Sequence, residues 1–431
     1  MLKDYKSRLV FLNRCYWPDS EATGQLLSDL CESLVDEFDV HVVCGQPNFP
    51  TTDGYLQRGT EDRNGVTIHR LKHKRFDKRI PTGRLLNLIS FSHSASRYLQ
   101  LSRLAADIVI CETDPFLLPL VASRYAGRVD ASLICYLQDI YPDVAEAIGK
   151  VRSGWLTSQI RRRLRAVYQK ADRVVVLGEC MRRRLEGLPW SISPDLMRVI
   201  PNWADCQSIE PKPTESSDLR HRENLANAFV VMHSGNMGLT QRLDVLVEAT
   251  NSVHWPEAAV LLLIGDGAAG KSLQARAAAL GSKRVRFLPY QPRQDLADSL
   301  SAADLHVVSM DERISGCLCP SKLYGIMAAG RPILAIASGD TDLARVVSEN
   351  KLGWCCSPGQ ADEIAKAVAS ASKDCLHREA AGLNSRRLAR HAFDRPVVLN
   401  EFKAMVAELA DEVTGSHRVP ECDTLAPAAI A

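Results

Sequence analysis

The sequence predicts an α/β protein built from two successive doubly wound domains. Three observations carry this. At 431 residues the chain exceeds one compact core and suits two domains of ordinary size. Short apolar runs alternate with helical patterns along its length. The alternation pauses once, at PKPTESSDLRHREN (211–224), a polar Pro- and Ser-containing segment that reads as a linker.

In the first series RLVFLN (8–13) is an apolar run of strand length, and GQLLSDLCESLVDEF (24–38) spaces its apolar residues as an amphipathic helix does. Strands are expected at VHVVCG (40–45) and TIHRL (67–71), then a helix from about 84 to 104. Strands DIVICET (107–113) and SLICYLQD (132–139) follow, then a strongly basic helix at about 155–170 and strand DRVVVLG (172–178). VIPNWAD (199–205) reads as a turn-like strand end. The second series holds FVVMHSGNMG (229–238), VLLLIGDG (260–267), VRFLPY (285–290), LHVVSM (305–310), PILAI (332–336) and GWCC (353–356). Helices are expected near 361–373 and over about 396–412. The tail GSHRVPECDTLAPAAIA has small residues and prolines and is expected to be disordered. The expected organisation is a first domain at 1–208, a second at 209–395, a helix at 396–412 returning to the first domain, and a tail at 413–431. Sheets of this kind bind ligands at their strand carboxyl ends, here expected to face a central cleft.

Composition removes several classes. An apolar fraction of 46% with 24% charged residues is that of a globular protein, and a formal charge of +2 gives no field suited to nucleic acid. No run approaches the length of a membrane span, and the start MLKDYKSRLVFLNRCYWPD lacks the apolar core of a signal peptide, so a cytoplasmic location is expected. The thirteen cysteines are scattered without a C-x-x-C pair, which suits buried thiols in a reducing compartment. His69 and His73 have helical ligand spacing but sit among Lys and Arg that would repel a cation. Asp340-Thr-Asp342 precedes a helical pattern and is expected to cap it. Neither metal nor other cofactor is expected.

LLLIGDGAAGKS (261–272) is ambiguous. Gly265 to Ser272 matches the phosphate-loop pattern, while Gly265-x-Gly267-x-x-Gly270 matches the dinucleotide fingerprint. A phosphate loop needs a later strand ending in Asp to hold magnesium, yet the later strands end in LPY, VSM and AIA. A dinucleotide site needs an acid about twenty residues on, and VRFLP supplies none. The glycines are then expected only to let the chain turn from strand into helix beside the cleft.

The strand ends carry an ordered series: YWPDSEATGQLLSDL, LQDIYPDVAEAIG, VIPNWAD, HSGNMG with LDVLVEA, LIGDGAAGKSLQARAAALG, VRFLPYQPRQDLADSLSAADLHVVS and PSKLYGIMAAGRPILAI. In order and spacing it resembles glycosyltransferase family 4, retaining enzymes of the GT-B fold, and within it bacterial members that build O-antigen, capsule and exopolysaccharide. The likeness covers about residues 7–370. It implies two Rossmann-like domains, transfer from a nucleotide-sugar such as a UDP-linked N-acetylated or deoxy hexosamine, and front-face displacement without a protein nucleophile. In the family the strand before the GDG turn leads into a helix with no Lys-Ser requirement.

Such a reaction expels a nucleoside diphosphate, so cations, amides and helix starts must stabilise its charge. Pro320, Ser321, Lys322 and Leu323 offer these, and the resemblance lays this loop against the donor; a helix start with a solvated lysine is the plainer alternative. Gly235 and Asn236 permit close backbone approach or unusual dihedrals. Arg242 either pairs with the diphosphate or is a surface charge. Gly24 either approaches the phosphates or is an ordinary turn glycine. Gly265 lies at the adjacent turn, and Leu288 to Tyr290 match the place where relatives contact the base. Asp139, Asp143, Asp19 and Glu21 are candidates to bind or orient the acceptor hydroxyl; Asp143 is equally suited to start a helix after Pro142. Many relatives carry two glutamates eight positions apart, and this chain has Cys317 and Gly325 there. Sugar and ribose recognition must therefore differ, and a nucleotide-sugar-binding partner without activity is the alternative.

Residues 70–84 hold seven Lys/Arg against one acid, Asp77, and LLNLISF (85–91) follows; RRRLR (161–165) adds a second basic cluster. Basic residues beside apolar ones suit an anionic inner-membrane leaflet and a polyprenyl-diphosphate-linked saccharide acceptor. A solvated helix face over ordinary core is the alternative.

Overall fold

Aliphatic runs become buried parallel strands, and each stops where glycine, proline or polar residues begin. The computed structural model describes residues 6–19, 22–47, 59–74, 76 and 81–416. The first series runs β1 (Arg8–Leu12), α1 (Ala22–Leu34), β2 (Asp39–Cys44), β3 (Gly59–Arg63), β4 (Val66–Arg70), α2 (Pro81–Leu101), β5 (Ile108–Glu112), α3 (Leu118–Val129), β6 (Ser132–Leu137), α4 (Asp143–Ala147), α5 (Trp155–Tyr168), β7 (Arg173–Val176), α6 (Glu179–Glu186) and β8 (Met197–Val199). Their sheet has the order β3-β4-β2-β1-β5-β6-β7-β8. β1 is parallel to β2 and β5, β2 to β4 and β7 to β8, whereas β3 is antiparallel to β4.

The second series runs α7 (Asp218–Arg222), β9 (Phe229–Ser234), α8 (Leu243–Ala249), β10 (Ala259–Ile264), α9 (Gly270–Ala279), β11 (Val285–Leu288), α10 (Leu296–Ser301), β12 (Leu305–Ser309), α11 (Lys322–Ala328), β13 (Ile333–Ile336), α12 (Asp342–Glu349), β14 (Gly353–Cys356), α13 (Ala361–Lys373), α14 (Cys375–Ala392) and α15 (Arg395–Ser416). Its sheet is parallel with the order β11-β10-β9-β12-β13-β14. Strand period two sends Val231, Leu261 and Leu263 into one core and Val230, Met232, Leu262 and Ile264 into another. Both faces are covered, which is why these strands read as continuous apolar runs.

By contacts the chain divides into one unit of Met1–Asp19, Leu27–Ile134 and Asn400–Ala431, and a second of Ser20–Leu26 and Cys135–Leu399. Within the first, Lys403 pairs with Glu37 at 2.7 Å.

Three local details go beyond the expectations. The segment 211–224 is ordered: Ser217 caps α7 by accepting from the Arg220 amide, and Asp298 accepts from the Asp218 and Leu219 amides at 3.0 and 3.1 Å. The cap of α12 is Thr341, whose hydroxyl accepts from the Ala344 amide at 3.2 Å. Asp342 instead accepts from the Cys180 amide at 2.8 Å. Strand β3 was not expected; it joins β4 through Asn64-Gly65, both at positive φ. Helix α15 continues to Ser416, through the first four residues of the expected disordered tail; the rest of the tail, from 417 onward, and residues 75 and 77–80 of the basic segment lie outside the described residues. Among the described residues no helix is long and apolar enough to cross a membrane.

Candidate active site

The site is built in the second unit, on the loops that follow β9, β10 and β11. After β9 the chain leaves the sheet at Gly235, whose amide donates to the Ile264 carbonyl at 2.9 Å. The Met237 amide donates to the Asp266 carbonyl at 2.8 Å, and the Gly238 amide to Gln241 Oε1 at 2.6 Å. After β10, Gly265 and Gly267 take φ of +129° and +157°. A Cβ at either would collide with the carbonyl oxygen of Gly235 or of Met237, so two glycines are needed for the turns to nest. The Asn236 side chain lies against Gly267 and Gly238, which explains a small polar residue there.

That nesting decides between the readings of 261–272. The Gly267 amide donates to Asp266 Oδ1 at 2.7 Å, Ala269 to the Met237 carbonyl at 2.9 Å, and Gly270 to the Gly267 carbonyl at 3.0 Å. Amides that should cradle a phosphate are thus spent inside the protein. Lys271 and Ser272 are exposed on α9. The turn is structural.

Lys322 is placed differently. It opens α11, and its side chain runs back to β9, where Nζ lies 3.3 Å from His233 Nε2. A Cβ at Gly235 would touch Lys322 Cε at 3.3 Å. Burial lowers the lysine pKa to about 8. Burial first, and then Lys322, hold the His233 imidazole well below its ordinary range. The ring is therefore neutral, and Nε2 can accept a hydrogen bond from the ammonium. His233 was not singled out from the sequence, since one histidine in an apolar strand reads as core. Its place directly before Ser234-Gly235 was the available signal.

Around this pair the structure gathers several expected residues. The Leu288 carbonyl accepts from the Gly265 amide at 2.9 Å. Tyr290 is 57% exposed, with its ring over Gly265 and its hydroxyl 3.5 Å from the Asp266 carbonyl. The Leu323 amide donates to the Pro320 carbonyl at 3.2 Å; Ser321 is exposed and Leu323 buried. Asp139 forms an isolated antiparallel bridge with Leu318, and the Ile140 amide donates to the Cys317 carbonyl at 2.8 Å. This ties the residues after β6 to the stretch leading into Lys322.

Others are engaged elsewhere. Arg242 sits at positive φ ahead of α8, half-exposed, with Nε 3.3 Å from Asp244. Asp143 is buried, accepting from Arg161 Nε and Arg184 Nε, each at 2.9 Å, and from Trp190 Nε1 at 3.1 Å. Both its oxygens are occupied, so the carboxylate pins α4, α5 and α6 together. Asp19 is buried in the first unit, and its amide donates to the Tyr16 carbonyl at 2.9 Å. Gly24 is buried in α1. Glu21 lies outside the described residues. Cys317 is wholly buried, its thiol pushed up to about 12 by burial. At Gly325 a Cβ would meet only Leu300 Cδ1, at 3.6 Å, so crowding does not exclude a side chain there.

Comparison with known proteins gives the family and the fold. Residues 22–203 match the Glycosyl transferase 4-like domain and residues 228–374 match Glycosyl transferases group 1. The chain is 26% identical to the probable glycosyltransferase WbjE of Pseudomonas aeruginosa over 71% of its own length and 76% of WbjE. It is 22% identical to the putative colanic acid biosynthesis glycosyl transferase WcaI of Escherichia coli over 90% and 96%. Among solved structures it superposes on sucrose-phosphate synthase from Thermosynechococcus elongatus with a TM-score of 0.73, at 17% identity over 94% of this chain and 99% of that one. On Anabaena HepE, crystallised with UDP, the TM-score is 0.69 at 16% identity, over 93% and 100%. The two domain matches, in this order and on these two sheets, make the chain a glycosyltransferase of the family 4 type with the GT-B fold.

Proposed function

We propose that the protein transfers a hexosamine, N-acetylated or deoxygenated, from its UDP-linked form to a polyprenyl-diphosphate-linked saccharide, with retention, in synthesis of a cell-surface polysaccharide. The observation that carries the donor half is the Lys322 ammonium held by His233 against the Gly235 backbone, a fixed positive charge at the carboxyl end of β9. A diphosphate lying there gains charge stabilisation as it leaves. HepE structures holding UDP and UDP-glucose support uridine as the base, with Tyr290 and the Leu288 strand end beside it. The name of WcaI supports polysaccharide synthesis. In the reaction the acceptor oxygen bonds to C1 of the sugar as the C1–phosphate oxygen bond breaks, and the acceptor proton passes to the departing phosphate. Asp139 orients the acceptor hydroxyl. Arg242 swings from Asp244 to the diphosphate. No metal is required in this reading, because Lys322 supplies the charge. The acceptor is membrane-held, so the protein works at the inner face of an anionic membrane.

A thermal-shift screen of nucleotide-sugars, followed by radiolabel transfer to a membrane extract, tests this. UDP-sugars should stabilise the protein, and one should label lipid. Binding without transfer to any extract would favour the inactive-partner reading, which the Cys317 and Gly325 positions motivate. No stabilisation by any nucleotide-sugar sinks both.

A further inference from the structure

We propose that the outer face of α5 is the surface that lies on the membrane: Trp155 and Leu156 enter the headgroup layer of an anionic phospholipid leaflet, and Arg162 and Arg163 pair with its phosphates. This rests on the membrane reading above and assigns it to one helix.

The inner face of α5 is fixed. Thr157, Leu164, Val167 and Tyr168 are buried, and the Tyr168 ring stacks on Trp190 at 5.6 Å. Arg161 is held by Asp143 at 2.9 Å and by Glu146 at 2.7 Å. With that side pinned, helical geometry leaves the opposite side to solvent. It begins with Trp155, 77% exposed, and Leu156, 61% exposed. Two turns on, Arg162 and Arg163 are exposed and stand in line with Trp155 and Leu156 respectively. Val151 is also exposed just ahead of the helix, between Lys150 and Arg152, which are exposed as well.

The charge pattern is one-sided. Residues 148–171 contain seven Lys and Arg and no Asp or Glu. A merely solvated helix face intersperses carboxylates and does not open on two large apolar side chains. A water-soluble polyanion would account for the arginines but offers nothing to Leu156 or Val151. An anionic leaflet answers both, since its phosphates meet the guanidinium groups and its acyl boundary receives indole and leucine. Val253, 93% exposed with no Lys or Arg within ten residues, supplies a contrast: an isolated apolar residue of the ordinary kind.

The test uses the full chain and sedimentation with phosphatidylcholine vesicles, with and without phosphatidylglycerol, at low and high salt. The unaltered protein should bind the phosphatidylglycerol vesicles at low salt and release as salt rises, with a blue shift of tryptophan emission that W155F removes. W155S/L156S and R162Q/R163Q should each weaken binding about tenfold or more, while V253S should not. Melting temperature and circular dichroism should be unchanged in all of them. If W155S/L156S binds as well as the unaltered protein, α5 is the wrong surface and the membrane reading stands. If the unaltered protein ignores anionic vesicles at low salt, the membrane reading falls and this assignment with it. Retention by heparin without vesicle binding overturns it too.

Discussion

Lys271 and Lys322 stand in nearly the same setting, each at the start of a helix, next to a serine, after a loop that leaves a buried strand. Only one of them is drawn into the protein. Beside Lys271 the amides of Gly267, Ala269 and Gly270 already donate within the protein, and the lysine points to water. Lys322 is drawn inward to His233 and packs against the Gly235 backbone. A glycine-rich loop binds phosphate only where its donors remain unspent, and the sequence pattern does not reveal that.

The sharpest way to break the contrast is Lys322→Met. Removing a preorganised charge at the leaving group should lower kcat by about 10²–10³-fold with the fold intact. A loss below about threefold would mean that the leaving diphosphate is stabilised elsewhere, with Arg242 the next residue to substitute.

Second in size is Asp143→Ala, which leaves Arg161, Arg184 and Trp190 Nε1 without their shared acceptor. Denaturant unfolding should show a loss of about 3 kcal/mol. If stability is instead unchanged while KM for the acceptor rises, Asp143 is an acceptor residue after all. Next comes Gly265→Ala. Its Cβ would meet the Gly235 carbonyl at a backbone conformation side chains rarely take, so stability should fall by roughly 2 kcal/mol. A stable Gly265→Ala protein that fails only in UDP binding would give this turn a ligand after all.

These effects divide along the line between what the sequence shows and what it hides. The parallel strands of both sheets were legible because strands covered on both faces read as unbroken apolar runs. The hairpin β3–β4 was not, although Asn64-Gly65 is a strong two-residue turn signal; its strand GTEDR is polar, since it is an exposed edge. At the candidate site, Lys322 and Gly235 could be singled out from residue type. Their contact, and the part of His233 in it, depend on β9 and α11 meeting across 89 positions of sequence. Asp143 was ambiguous for a related reason: its partners Arg161, Arg184 and Trp190 lie 18, 41 and 47 residues away.

Protonation sharpens the lysine contrast further. With its pKa lowered from 10.5 to about 8, Lys322 releases its proton in the folded protein at a pH where the unfolded chain still holds it. Stability should therefore rise with pH between about 8 and 10.5, the burial penalty being largest below 8. UDP binding carries the opposite sign, because the diphosphate needs the charged form. Its Kd, measured by calorimetry, should weaken up to about tenfold per pH unit above 8. Lys322→Met should abolish that dependence; an unchanged slope in the variant would assign the titration to another group.

The smallest expected effect is the most discriminating for the opening motif. Lys271→Ala removes an exposed side chain with no part in the nested turns, so transfer rate and stability should stay within about twofold and 0.5 kcal/mol of the unaltered protein. A phosphate loop could not tolerate this, since its lysine reaches the β- and γ-phosphates. Should Lys271→Ala abolish an ATP-hydrolysing activity, the internal hydrogen bonds of Gly267, Ala269 and Gly270 would have to open for the nucleotide. The two glycine loops would then have exchanged roles.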